Sequence, residues 1–377
     1  MSTTESCSVP TVSPPKHLES SLSADNGYST QSTTPALESC PLSDVQPSEP
    51  VSDNVPKYLQ ESVVTEECKK LILSLPTEKD WVANNLHQYQ GFWHTARHLQ
   101  AVLVCQRHFQ AEDSDILLVT TPKSGTTWLK AIVFALMNRD QYRNNNDHPL
   151  LSENPHVLVP FLEIRLYIDG RVADFTKFTS PRLFGTHIPF SSLPETVKNS
   201  PCKLVYLCRN PKDTFVSIWH FTNKLREKGV GMGTNSLEWS FDKFTRGVSL
   251  NGPFWDHVLE YWKESLENPE RVLFLKYEDM KEQPKVQVSK LAKFLGRPFS
   301  LEEETNGVLD GILKLCSFEN LSNLEVNKTG KLDTGEDFNA FFRQGEVGDA
   351  KNHLTPQMIE KLDQITQEKL HGYGLKF

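Results

Sequence analysis

Ile116–Thr121 reads ILLVTT, and it runs through Pro122-Lys123-Ser124-Gly125 straight into Thr126–Asn138, TTWLKAIVFALMN. A short, unbroken apolar run suits a strand buried on both faces. The glycine-bearing turn that follows opens a helix-length segment. A helix N-terminus offers N–H groups without intrahelical acceptors and a partial positive charge, so this junction has the shape of a phosphate seat. Gly125 allows close approach of backbone to an anion, and Lys123 adds a full charge. The turn is P-loop-like, but it is not GxxxxGK[ST], because the lysine precedes the glycine and the loop is shorter. Read alone, such a turn is more often an ordinary strand-to-helix turn capped by serine and threonine.

The pattern recurs. Lys203–Cys208 (KLVYLC) leads through Arg209-Asn210-Pro211 into a helical stretch, Asp213–Asn223, and Val272–Lys276 (VLFLK) precedes a helix around Val286–Leu295. Strand–turn–helix repeated in this way predicts one α/β domain, a central parallel sheet flanked by helices. In such sheets ligands bind at the carboxyl ends of strands, where Arg209 stands. Pro211 suits the first turn of its helix, and Ser217 lies two turns along it. An arginine fork with a hydroxyl makes a second phosphate clamp; the competing reading is a surface arginine in a salt bridge. A nucleoside triphosphatase needs an acid at the end of this second strand to hold Mg²⁺, and Arg209 occupies that place. The expectation is an anionic nucleotide with a second phosphate and no metal.

The totals bound the alternatives. The chain has 377 residues and a net charge of −8, so it has no polybasic character for nucleic acid or anionic membrane. Its 7 cysteines are scattered without a CxxC, which fits a reducing compartment better than a disulfide framework. No apolar run reaches membrane-helix length, and the N-terminal stretch lacks the order of a signal peptide; the expected location is cytoplasmic. Residues 1–54 carry 13 Ser, 6 Thr and 7 Pro with no Trp or Phe. This composition predicts a disordered tail. A transit peptide is the rival, but the stretch has 7 acids against a single lysine. Residues 55–377 form the expected domain.

With these residues in hand, the chain resembles the cytosolic sulfotransferases that use 3′-phosphoadenosine 5′-phosphosulfate (PAPS), in particular their plant branch. The resemblance runs from about Leu71 onward and rests on PKSGTTWLKA, FGTHIPFSSLP, VYLCRNPKDTFVSIWHF, FLKYEDM and RQGEVGDAKNHLT. It implies that Lys123, Ser124, Gly125, Thr126, Thr127 and Trp128 hold the 5′ side of PAPS, with Trp128 near the adenine. It further implies that Arg209, Ser217 and Arg343 hold the 3′-phosphate and that Tyr277 lies beside the adenine. His187, in GTHIPF, would be the catalytic base that takes the acceptor's proton, and Lys123 would neutralise the departing phosphate. The late loop reads Arg343-Gln344-Gly345 where the family usually has RKG, and Ala350 stands where a tryptophan is common. Lys351, Thr355, Pro356 and Glu360 form KxxxTPxxxE where dimer-forming members carry TV, which favours a monomer or weak homodimer.

The implied partner is a small hydroxylated acceptor: a flavonol, a hydroxylated jasmonate, a steroid or a desulfo-glucosinolate. Tyr89–Trp93, Phe161, Phe184, Trp219–Phe221 and Phe254-Trp255 are candidates for its apolar pocket, although most aromatic side chains belong to cores. Leu162–Pro181 and the loop at Gly229–Thr234 are expected to shape selectivity. The rival readings are a Mg²⁺-dependent phosphotransferase, which Arg209 opposes, and a binding protein that has lost its chemistry.

Overall fold

Three of the four strands of the central sheet are the three apolar runs. In the computed structural model, which describes residues 56–60, 64–82, 84–142 and 147–377, a small antiparallel sheet comes first: β1 (Thr77–Lys79), β2 (Asn85–Tyr89) and β3 (Phe92–His94). The expected tail over residues 1–54 lies outside the described residues, as do Cys7 and Cys40. The central sheet contains β4 (Ile116–Thr120), β5 (Leu183–Thr186), β6 (Lys203–Cys208) and β7 (Val272–Lys276), in the order β5-β4-β6-β7, all parallel. β5 was not anticipated. It is an edge strand of four residues, LFGT, with Gly185 inside it, too short and too interrupted for an apolar run to stand out.

Alternation of side chains along each strand divides the interior in two. Leu117, Val119, Leu204 and Tyr206 face one core, which is closed by α1 (Ala96–His108), α3 (Pro211–Leu225), α4 (Phe254–Glu267) and α8 (Pro356–Leu370). Ile116, Leu118, Val205, Leu207 and Leu273 face the other, closed by α2 (Thr126–Met137), α6 (Pro284–Phe294) and α7 (Val308–Leu315). Full burial of each such aliphatic chain stabilises by about 1.5–3 kcal/mol. This explains why the strands read as continuous hydrophobic runs. The link after β7 is itself helical, α5 (Tyr277–Glu282), so Tyr277 emerges directly from the strand end.

Local chemistry sets the helix starts. Asn210 accepts the Lys212 N–H at 3.0 Å with Pro211 next to it, and Thr355 accepts the Met358 N–H at 3.2 Å ahead of α8. α2 begins differently. Gly125 takes φ +104° at its N-cap, a left-handed conformation that admits little but glycine.

Candidate active site

The carboxyl ends of all four central strands converge on one cavity. β5 ends at Thr186 and delivers His187; β4 delivers the Lys123–Trp128 turn; β6 delivers Arg209; β7 delivers Tyr277. Because the strands lie in the order β5-β4-β6-β7 at a spacing of about 4.8 Å, His187 stands on one side of the turn and Arg209 and Tyr277 on the other. The cavity has a volume of about 350 Å³. It is lined by Lys123, Gly125, Thr126, Thr127, Trp128, His187, Arg209, Ser217, Tyr277, Arg343, Gln344 and Gly345. Ser124 does not reach it; it is buried behind the turn with its hydroxyl 2.6 Å from that of Thr121.

The turn is fitted closely to its neighbours. A Cβ on Gly125 would lie 2.8 Å from the Tyr277 ring, so the glycine is needed for packing as well as for φ. Trp128 and Tyr277 meet edge to face, with centroids 5.4 Å apart. Lys123 has φ +66°, and its ammonium lies 4.4 Å from the centre of the Phe221 ring and 3.4 Å from the Ala340 carbonyl. Burial, together with the charges of Arg209, Arg343 and Lys224, lowers the Lys123 pKa to about 7.

Late in the chain, residues 343–350 fold over the ends of β6 and β7. The Tyr277 hydroxyl donates to the Gly345 carbonyl at 2.8 Å, and Arg209 donates to the Glu346 carbonyl at 2.6 Å. Asp213 accepts the Gly348 and Ala350 N–H groups at 2.7 and 2.9 Å, which ties α3 to this loop. Arg343 donates to Asp349 at 2.5 Å. Both arginines keep one buried Nε that meets no partner among the described residues. Buried orphan donors on cations are costly, and an anion in the cavity would satisfy them. Gln344 replaces a cation, but Gly345 still holds φ +68°, and a Cβ there would lie 2.4 Å from the Phe318 ring.

On the opposite side, His187 Nδ1 lies 2.6 Å from the Thr120 carbonyl, to which it can only donate. Nε2 is therefore the nitrogen with the lone pair. Burial, with the Lys130, His257 and Lys123 charges adding to it against the Thr120 contact, lowers the His187 pKa to about 3, so the ring is neutral. Its backbone N–H is held by the Glu163 carboxylate at 2.7 Å. Sequence reasoning missed Thr120, His156, Lys130 and Glu163. His187 itself was named only through the resemblance; its place directly after a strand becomes visible once β5 is recognised.

Of the aromatic candidates for the apolar side, Phe161 and Phe221 line the cavity, joined by Tyr58, Ile164, Leu250 and Phe341. Phe184, Phe254 and Trp255 are in the core, and Trp93 packs in a small cluster with Leu86 and Val248. Trp219 and Thr234 line an adjoining hollow. The described residues hold no cluster of three or more metal-ligating side chains and no helix long and apolar enough to cross a membrane.

The profile of the sulfotransferase domain family matches residues 113–374. Among curated proteins, cytosolic sulfotransferase 5 of Arabidopsis thaliana is 54% identical over 317 residues, covering 83% of this chain and 97% of its own. Cytosolic sulfotransferase 12 of the same plant is 50% identical over 328 residues, covering 86% and 98%. Among solved structures, an Arabidopsis thaliana sulphotransferase aligns at 45% identity with a TM-score of 0.66, covering 86% of this chain and 99% of that one. A mouse sulfotransferase crystallised with PAP aligns at 27% identity with a TM-score of 0.59, covering 76% and 94%.

Proposed function

The chain belongs to the plant cytosolic sulfotransferases, and from that premise we propose that it moves the sulfuryl group of PAPS to a hydroxyl of a small apolar acceptor in the cytosol. The observation that carries this reading is the division of the cavity: three basic side chains, Lys123, Arg209 and Arg343, on one side, and a neutral histidine with a free Nε2 on the other. PAPS supplies a sulfuryl group on a phosphate leaving group. Arg209, Ser217 and Arg343 hold the 3′-phosphate, the orphan arginine Nε atoms providing two of the donors it needs. Trp128 and Tyr277 flank the adenine. The first turn of α2 receives the 5′ end, with Gly125 giving the backbone its approach.

His187 Nε2 takes the acceptor proton as the acceptor oxygen bonds to sulfur. Lys123 meets the bridging oxygen as its bond to sulfur breaks, so the electron pair leaves with the phosphate. Phe161, Ile164, Phe221, Leu250 and Phe341 form the apolar wall against which the acceptor lies, which suits a flat phenolic or alcoholic body such as a flavonol, a hydroxyjasmonate or a steroid. The Pro356 in α8 favours a monomer or weak homodimer. The test is incubation with sulfur-labelled PAPS and a panel of hydroxylated plant metabolites, with chelator present. Label should pass to at least one acceptor class. Transfer of phosphate from ATP with Mg²⁺, and none of sulfate from PAPS, would support the phosphotransferase reading instead.

A further inference from the structure

Behind the turn lies a buried polar chain that this transfer does not use. Lys130 sits three residues after Thr127 on the same face of α2 and is fully buried. Its side chain crosses Gly185 of β5, where a Cβ would lie 2.4 Å from Cε and 2.6 Å from Nζ. Nζ stands 3.2 Å above the centre of the Phe161 ring and 3.2 Å from His156 Nδ1. On the far edge of that imidazole, Nε2 lies 2.9 Å from the Thr127 hydroxyl, and Thr127 lines the cavity. Glu163, buried in the π-helical turn Leu162–Leu166, supplies the opposite charge to Lys130. It also accepts the Thr186 hydroxyl at 2.9 Å and the His187 N–H at 2.7 Å.

The chain has a direction set by what each group can donate. Burial pushes the Lys130 pKa well down, while the Glu163 carboxylate pulls it back up. With Nζ seated over the face of the Phe161 ring, the relay takes Lys130 as an ammonium, which has donors and no acceptor, so that it donates to His156 Nδ1. Burial, and then the Lys130 charge, hold His156 neutral. A neutral ring accepting at Nδ1 carries its proton on Nε2, and that N–H donates to the Thr127 oxygen. The hydroxyl hydrogen of Thr127 is then left for the cavity. Resting on the reading that this turn seats the 5′ end of the donor nucleotide, we propose that Lys130 and His156 are positioning residues that fix the Thr127 hydroxyl as a hydrogen-bond donor to that anion. Without Lys130 the imidazole is free to take the other tautomer, and the Thr127 hydrogen turns inward to Nε2.

PAP, the nucleotide that remains after transfer, is the probe, and its affinity is measured by calorimetry alongside melting temperature. Lys130→Met and Thr127→Val should each weaken PAP by about tenfold, and the double variant should be no weaker than Thr127→Val alone. His156→Gln, which keeps an amide donor within reach of Thr127, should retain most of the affinity, whereas His156→Leu should fall to the level of Lys130→Met. Losses that multiply to about a hundredfold in the double variant, or a glutamine no better than leucine, would overturn the relay. If Lys130→Met fails to fold, the His156 pair decides the question. A wild-type protein that does not bind PAP would overturn the donor reading and the relay with it; wild-type binding with multiplicative losses would overturn the relay alone.

Discussion

The Thr120 carbonyl, accepting from His187 Nδ1, decides which nitrogen of that ring can act. A general base contributes on the order of 10²–10⁴-fold, so His187→Ala should lower turnover by about that factor while PAP affinity stays near wild type. Loss of PAP binding as severe as the loss of turnover would make the residue structural. Lys123 carries a pH signature. Its pKa is lowered to about 7 by burial and three neighbouring cations, so the amine of the free protein is neutral above that pH. A bound polyanion offsets the repulsion and raises the pKa, so binding above pH 7 takes up a proton. PAP affinity should therefore weaken by up to about tenfold per unit as pH rises beyond about 7, with buffer-dependent binding enthalpy. Lys123→Ala should lack that slope, and an unchanged slope in the variant would assign it to another group. Lys123 and Arg209 were legible in the sequence because each stands within three residues of the end of an apolar strand. Lys130, His156 and Glu163 were not, since pairing between buried polar groups from separate segments leaves no spacing to read.

Among the elements, the strand-turn-helix unit β4–α2 does the most, and Gly125 is its weakest point. Gly125→Ala would force φ +104° on a residue with a Cβ and drive that carbon to within 2.8 Å of the Tyr277 ring. The expected result is a stability loss of about 1–3 kcal/mol with weakened PAP binding; melting and titration unchanged from wild type would mean that the turn relaxes freely. β4, β6 and β7 could be read directly because both their faces are buried, which makes each an unbroken apolar run. β5 escaped because an edge strand of four residues containing a glycine has no such run. Of the first strands, TEK and NLHQY are short and largely polar and FWH is buried but only three residues long, so they are strands through pairing with one another rather than through pattern.

At the scale of the whole molecule, the strand order places His187, the Lys123–Trp128 turn and Arg209 side by side, and the proposed chemistry follows from that order. Residues 1–54 lie outside the described residues. Their composition predicts a tail, so deleting them should leave PAP affinity and melting temperature nearly unchanged; a drop of several degrees would show that the segment packs on the domain. The central claim is that the cavity is built for a nucleotide with a second phosphate, held through Arg209. Charge-assisted contacts of this kind contribute about 1.5–3 kcal/mol each. The direct measurement is the affinity of wild type and Arg209→Ala for PAP and for adenosine 5′-monophosphate, which lacks the 3′-phosphate. The account predicts that the substitution weakens PAP by about ten- to a hundredfold and barely changes the monophosphate; equal losses for both ligands would contradict it.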